Sequence, residues 1–509
     1  MTDQVVDKNG HPPSLFILFF TEMWERFSYY GMRALLVLFL TTELIGGGWG
    51  WTRSDALQLY GIYTGLVYLT PILGGFIADK FLGYRNAVAI GALIMTIGHA
   101  SMAFDTPFSF YLGLGCLIIG NGLFKPNISS IVGKLYEKNP EKKDAAYTIF
   151  YMGINAGAFL GILLCGYIGE KVGWSFGFGL AGIFMFFGML QFWFARNIFG
   201  AIGLVPLKQN KIILTPEETD KENSEKHIHR DRIIVIGVFA FFTIFFWMAF
   251  EQAGGSMTIF ADDYTNRVLT GSSGVIFKWS NTLLTVVPMI ILTFVLINLT
   301  KKTYKNYLSS NLFLGTSFAI IWGIVIWMLV KEFKADSSEV PASWFGILNS
   351  FFIIALAPMF SKLWESKYNP SGPVKFALGL ILLGLGFAIL AYGSLNIPSG
   401  AKTASVSMIW LILAYLLHTL GELCLSPVGL SYVSKLSPPK LLGLMFGIWF
   451  IANFIANYLA GLSGSFIDKI SEQYSLKTFF LIFTFLPIIA GAIMLLMNKF
   501  LIKKMHGIR

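Results

Sequence analysis

Five apolar runs limit what this chain can fold into. Residues 86–104, 282–300, 312–330, 376–393 and 479–497 are each long enough to cross a ~30 Å hydrocarbon core as a helix. Inside lipid, a backbone satisfies its own polar groups only as a helix or a closed barrel. Barrel strands are short and alternate in polarity, so these runs predict an all-α integral membrane protein. The charge content agrees. Only 13% of residues are charged, about half of the roughly one quarter usual in soluble chains. A soluble enzyme and a disordered chain are both excluded.

Read between charged and turn residues, apolar spans fall at about 14–42, 56–78, 86–104, 110–130, 145–168 and 174–196. Eight more fall at about 233–260, 281–300, 311–331, 344–362, 374–394, 406–434, 441–463 and 477–499. Fourteen transmembrane helices are therefore expected. Of the 38 Lys and Arg, an N-terminus-inside orientation puts 26 in cytoplasmic segments, 9 outside and 3 within spans. Positive charge favours the cytoplasmic side, so both termini are expected in the cytoplasm. The net charge of +10 is thereby assigned to basic cytoplasmic loops, with no nucleic-acid partner. The division is an N-terminal bundle over 1–197, a polar cytoplasmic linker over 198–232 and a C-terminal bundle over 233–509. The polar N-terminus has no apolar signal core, so no cleavable signal peptide is expected. Cys116, Cys165 and Cys424 lie in apolar stretches without metal or disulfide spacing.

A charge at mid-bilayer costs at least ~2.5–3.5 kcal/mol. Seven residues carry that cost: Glu22, Glu25, Arg26, Arg33, Lys125, Glu251 and Glu422. Glu22, Glu25, Arg26, Tyr29, Tyr30 and Arg33 share the first helix and one continuous face of about 140°. Such a face cannot look into lipid. It lines a wet cavity or packs on charges from other helices, and Lys125, Glu251 and Glu422 are the partners at hand. One reading is structural, with buried ion pairs that only fix helix packing. Against it, four acids face three bases, which leaves one carboxylate formally unpaired. A carboxylate of that kind can exchange a proton inside the membrane, as a proton-coupled device requires.

Polar side chains add to this face. Trp449, Asn453 and Asn457 recur one turn apart, Asn155 lies among small residues, and Asn349 opens a helix. Each alone reads more simply as an interhelical hydrogen bond. Together with the charges they suggest an amphoteric site, cationic at Arg33 and Lys125 and anionic at Glu422. A zwitterion with separated termini fits it. His99 and His418 read as packed core residues, and His418 lies one turn before Glu422. Gly74-Gly75-x-x-x-Asp79-Lys80-x-x-Gly83-x-Arg85 reads as scaffold, with Asp79 placed to meet a neighbouring helix end. No phosphate loop, zinc spacing or nucleophile triad is visible in the sequence.

Several motifs then carry a resemblance. Glu22-Met-Trp-Glu25-Arg26-Phe27-Ser-Tyr29-Tyr30-Gly31 resembles the E-x-x-E-R-F-x-Y-Y-G signature of proton-coupled oligopeptide transporters, a family of the major facilitator superfamily. Asn121-Gly122-Leu-Phe124-Lys125-Pro126-Asn127 resembles its helix 4 motif. Phe150-Tyr151-Met-Gly-Ile154-Asn155-Ala-Gly157 resembles its helix 5 motif, with Ala158 where Ser is usual. Phe246-Trp247-x-x-Phe250-Glu251-Gln252 and Gly421-Glu422-Leu-Cys-Leu-Ser426-Pro427 resemble its helices 7 and 10. The resemblance implies a proton symporter importing di- and tripeptides, with peptide-like drugs as a further cargo class. It implies alternating access between two six-helix bundles, and no cofactor beyond the coupling proton. By the same resemblance, Arg33 and Lys125 would engage the peptide carboxylate. Asn155, Asn349 and Glu422 would engage the amino terminus. Tyr29, Tyr30, Tyr68 and Trp449 would line side-chain pockets, and Asn453 joins this binding set. Glu22, Glu25, Arg26, Lys125 and Glu251 would couple protonation to salt-bridge exchange.

The chain departs from the family in one respect. Bacterial members usually carry two extra helices between helices 6 and 7, but too few residues separate Arg196 from Glu251 to hold them. The extra pair is expected between family helices 7 and 8, at about 281–331. Neither helix has an ionisable group in its apolar core, so the pair is expected outside the twelve-helix core. A monomer in the bacterial plasma (inner) membrane is the expected state. Three other readings remain open at this stage: a symporter for another small anion, amino acid or drug-like compound; a peptide receptor; and a multipass enzyme.

Overall fold

The computed structural model describes residues 10–204, 226–438 and 441–508, apart from the side chains of Lys226, Pro427 and Leu430. Most of the expected linker, 205–225, lies outside the described residues. The long helices are α1 Pro13–Thr41, α2 Arg53–Ile77, α3 Tyr84–Met102, α4 Pro107–Leu135, α5 Lys143–Lys171, α6 Trp174–Ala195 and α7 Lys226–Phe250. They continue with α8 Gly271–Thr303, α9 Leu308–Lys334, α10 Ile347–Glu365, α11 Gly372–Gly393, α12 Ile409–Leu436, α13 Leu442–Gly464 and α14 Leu476–Leu496. Every expected span falls on one of them. Among the described residues, twelve helices are long and apolar enough to cross a membrane. Neither α1 nor α3 is among the twelve. Four charges, Glu22, Glu25, Arg26 and Arg33, dilute α1, and Arg85, Asn86 and His99 dilute α3.

Local signals explain where helices begin and break. Pro13 opens α1, and Thr106 with Ser109 forms a capping box ahead of Pro107 in α4. The α7 helix stops at Glu251, short of the expected residue 260. A 3-10 turn over Glu251–Gly254 follows, then Gly255, one helical turn over Ser256–Ile259 and a wide turn over Phe260–Tyr264. Gly254 allows this break to form, since a Cβ there would lie 2.0 Å from the Tyr60 hydroxyl.

Packing sorts the chain into two compact units. Unit 1 holds Met1–Trp49, Thr70–Pro206 and Arg267–Ile347, and unit 2 holds Gly50–Leu69, Leu207–Asn266 and Leu348–Arg509. This division cuts across the one expected from sequence order. The first part of α2 packs in unit 2, and the extra hairpin α8–α9 packs in unit 1 instead of with its C-terminal neighbours in sequence.

In unit 1, α1 lies against α5 along a stripe of small residues. Cβ atoms built on Gly157 and Gly161 would each lie 2.2 Å from a backbone carbonyl of α1, those of Met23 and Phe27. Glycine there lets two backbones touch, which is how helices pack tightly in lipid. The hairpin is fastened at both ends and in the middle. At one end the Glu170 carboxylate accepts from Ala342 N at 2.8 Å, from Ser343 N at 3.0 Å and from the Ser343 hydroxyl. There β1 Val268–Leu269 pairs antiparallel with β2 Ser338–Glu339, and Lys171 forms an ion pair with Glu339. In the middle, Phe318 packs edge-on against Phe20 and Trp24, 5.6 Å from each ring. At the other end Ser310 Oγ donates to Gln191 O at 2.9 Å, and Phe313 stacks on Phe194. The outward face of the pair stays apolar and exposed: only 28% of α8 and 33% of α9 is buried over their apolar windows.

The scaffold motif works through Arg85 more than Asp79. Arg85 donates to Gly200 O at 2.7 Å, while Asp79 accepts from the neighbouring Tyr84 hydroxyl. In unit 2, Gly61 of α2 and Gly461 of α13 meet backbone to backbone, a Cβ on Gly61 falling 2.7 Å from the Gly461 Cα.

Candidate functional site

The charges on α1 form a closed cluster. Arg26 is bracketed by two carboxylates, with its Nε 3.0 Å from Glu22 Oε1 and in an ion pair with Glu25. All three side chains are buried, at 2%, 0% and 3% exposure for Glu22, Glu25 and Arg26. From α4, Asn121 Nδ2 donates to Glu25 Oε1 at 2.9 Å. Lys125, one turn further along α4, acts electrostatically on both glutamates. Two acids thus face two bases. Buried charges are tolerable only when paired and hydrogen-bonded; the cluster pairs Arg26 Nε with both carboxylates, while Arg26 Nη2 and Glu22 Oε2 have no hydrogen-bond partner among the described residues. The α1–α5 glycine contacts fix the backbone on which this cluster stands.

Toward the C-terminal end of α1, cations lie over aromatic rings. The Arg26 guanidinium is 5.4 Å from the Tyr29 ring centre, and that of Arg33 is 5.7 Å from the Tyr30 ring centre. Tyr29 and Tyr30 pack edge to face.

Unit 2 carries the opposite sign. Asn349 Nδ2 donates to Glu422 Oε2 at 2.8 Å and to Thr419 Oγ1 at 3.2 Å. Thr419 in turn donates to Tyr415 O at 2.7 Å. No cation pairs with Glu422 among the described residues. Glu251, at the break after α7, accepts from the Tyr60 hydroxyl at 3.3 Å. It also lies close enough to Glu422 for the two carboxylates to repel. Unit 2 therefore concentrates negative charge that an amide and a phenol hold in place.

Several expected residues make local bonds instead. Asn155 Nδ2 donates to Tyr151 O at 3.0 Å and Asn453 Nδ2 to Trp449 O at 2.8 Å, each one turn back on its own helix. Asn457 repeats the pattern onto Asn453 O. Trp449 is buried, and its ring fills the space that a Cβ on Gly429 would take. Tyr68 is half-buried in unit 2. His418 is a packed core residue, with its ring 4.5 Å from that of Phe387, and His99 is fully buried. Sequence reasoning left Asn121, Thr419 and Tyr60 out of the site. The first two were signalled, since each stands about one turn from a charged residue already singled out, Lys125 and Glu422. Nothing near Tyr60 in sequence pointed to Glu251.

Ionisable groups buried inside both packing units of a multi-pass helical membrane protein mark a functional site. Comparison with known proteins narrows the class. The chain belongs to the POT family, whose model matches residues 85–213 and 316–482. It is similar to a di-/tripeptide transporter of Lactococcus lactis subsp. lactis (strain IL1403), 33% identical over 98% of each chain. It is also similar to a peptide transporter of Yersinia enterocolitica subsp. palearctica, 30% identical over 96% of this chain and 94% of that one. The crystal structure of a peptide transporter POT in complex with sulfate superposes with a TM-score of 0.75. That transporter is 29% identical, and the match covers 98% of this chain and 97% of the other. The chain is thus a membrane transporter of this family and not an enzyme.

Proposed function

We propose that the chain is a proton-coupled symporter that imports di- and tripeptides across the bacterial plasma membrane by alternating access. In this reading α1 and α3 also cross, giving fourteen spans. Twelve form the two six-helix bundles of the major facilitator fold, α8–α9 is an added hairpin, and both termini are cytoplasmic. Arg33 and Lys125 take the peptide carboxylate. Glu422 takes the amino terminus, with Asn155 and Asn349 beside it, and Tyr29, Tyr30, Tyr68, Trp449 and Asn453 surround the side chains. Glu22, Glu25, Arg26, Lys125 and Glu251 move the proton. No cofactor is called for, and the working unit is a monomer.

One observation carries the reading. Glu422 is held by an amide donor and has no cation within ion-pair distance among the described residues. A carboxylate in that position calls for an ammonium from outside the protein, because an unpaired buried charge is costly. A peptide amino terminus supplies one. The driving force is adequate: one proton crossing ~150 mV carries about 3.5 kcal/mol.

Dipeptide uptake into proteoliposomes, with and without an inward proton gradient, tests the reading. Gradient-driven accumulation of di- and tripeptides is expected. The Glu422→Gln variant should lose affinity for a dipeptide more than for its N-acetylated analogue. Equal losses would place Glu422 in structure, and uptake indifferent to the gradient would remove the symport.

A further inference from the structure

Helices α7 and α14 of unit 2 leave between them an outward-opening groove of about 690 Å³. The volume lies within the ~300–1,000 Å³ of small-ligand sites. Ile234, Phe241 and Phe245 stand on one wall and Ile489, Ile493 and Met497 on the other, and every lining residue is apolar or glycine. The groove does not stay apolar to its end. On α7, residues 234, 238, 241 and 245 form one stripe at helical spacing. One turn toward the N-terminus, that stripe meets His227, Arg230 and Asp231. On the other side the chain runs from Met497 into a short helix, Asn498–Lys504, that carries Lys499, Lys503 and Lys504.

The two ends are joined. Lys504 Nζ lies 2.6 Å from Asp231 Oδ1, His506 Nε2 lies 3.0 Å from Asp231 Oδ2, and His227 packs edge-on against His506. Asp231 is the one acid in the joined segments 226–232 and 497–508, and it is engaged by Lys504 and His506. Arg230, Lys499 and Lys503 remain exposed around it. An apolar groove that ends in exposed cations suits an amphiphile with a negative head. A lipid chain that enters the groove exchanges one hydrocarbon surrounding for another. Selection among lipids therefore falls on the headgroup, and basic clusters at helix ends attract anionic ones.

We propose that this groove is a binding site for an anionic diacyl phospholipid. One acyl chain lies along Ile234–Phe245, and the phosphate lies at Arg230 and Lys503. The lipid comes from the leaflet at that end, cytoplasmic in the orientation given above.

The site offers two separable perturbations. Gly237 lines the groove, and a Cβ on it would meet nothing within 4 Å. Gly237→Phe therefore fills the groove without forcing the backbone. The double variant Arg230→Gln/Lys503→Gln removes the two exposed cations placed at the phosphate, keeps Lys499, leaves the Asp231–Lys504 pair intact and changes no buried contact. The full-length chain in mild detergent is titrated with phosphatidylglycerol or phosphatidylcholine, and bound lipids are counted by native mass spectrometry. Retention of phosphatidylglycerol should exceed that of phosphatidylcholine by at least about tenfold, the effect expected of two surface cations. The charge variant should bring that ratio near one, and Gly237→Phe should lower retention of both lipids. Equal retention of the two lipids by the parent chain would overturn the proposal. A preference untouched by both variants would also overturn it, placing the lipid elsewhere. A dimer that Gly237→Phe dissolves would show the groove to be a protein interface.

Discussion

Replacing Gly157 with Ala tests the contact on which the α1 charge cluster rests. The new Cβ would lie 2.2 Å from Met23 O and 2.9 Å from Arg26 Cβ. Ordinary contact begins near 3.4 Å, so α1 and α5 would have to separate by about 1.2 Å along this stripe. The obstructing atom is a backbone carbonyl and cannot rotate away. Overpacking of this kind costs ~1–3 kcal/mol. Alanine's better helix propensity returns roughly 1 kcal/mol, so a net loss of up to about 2 kcal/mol is expected. Gly115→Ala on α4 is the control, because a Cβ there meets nothing within 4 Å. It should be neutral or slightly stabilising. Both variants would be purified in one detergent and their thermal unfolding midpoints compared with the parent's. Since Met23 is one turn from Arg26, Gly157→Ala should also reduce peptide uptake, and Gly115→Ala should not. If Gly157→Ala unfolds at or above the temperature of Gly115→Ala, the backbone contact is not what holds α1 in place.

Three further outcomes are expected. Glu22→Gln or Glu25→Gln should abolish gradient-driven accumulation while counterflow exchange partly survives, and normal driven uptake by both would remove these residues from coupling. Glu170→Ala strands three donors at residues 342–343, at ~1–3 kcal/mol for a stranded group. It should lower the unfolding midpoint and open the 335–341 loop to protease, and unchanged cleavage would show that the hairpin is anchored elsewhere. Burial alone would raise the Glu339 carboxyl, but its hydrogen bond and ion pair with Lys171, aided by Arg267, hold it below the ordinary 4.5. A group lowered on folding stabilises above that ordinary value and loses its contribution as pH falls through its folded value. Lys171→Ala should therefore be less stable than the parent at neutral pH and converge with it under acid, and a constant difference across that range would refute the pairing.

The helices were legible because hydropathy over twenty residues is a local property, and each span appears where its apolar run lies. The α1 cluster was legible for a related reason: Glu22, Glu25 and Arg26 share one face at helical spacing, and lipid forbids leaving that face exposed. Asn349 and Glu422 were named individually, but their 2.8 Å contact joins residues 73 positions apart, which no periodicity encodes. Asn155 and Asn453 show a limit of another kind. An amide in a membrane helix can satisfy its donor on its own backbone one turn back, so its presence in sequence does not say which way it faces. The break after α7 is not evident in sequence because apolar residues resume after Glu251–Gly255, and the Tyr60 hydroxyl that occupies the space at Gly254 comes from a distant helix. The hairpin's allegiance to unit 1 was hidden for the same reason, since its partners on α1, α5 and α6 precede it by more than a hundred residues.

That allegiance has a consequence for biogenesis. Unit 1 draws on residues up to 347, although the share it takes of the first six helices is complete by residue 206. At roughly 5–20 residues per second, the ribosome needs on the order of 10–30 s to supply the remainder. Through that interval α6 presents Gln191 and Phe194, and α1 presents Phe20 and Trp24, without Ser310, Phe313 and Phe318 to cover them. Meanwhile α7, which belongs to the other unit, has already been inserted. Assembly is thus interleaved, each half waiting on the other's segments. Nascent chains arrested at residue 266 should remain associated with insertion or quality-control machinery that full-length chains leave.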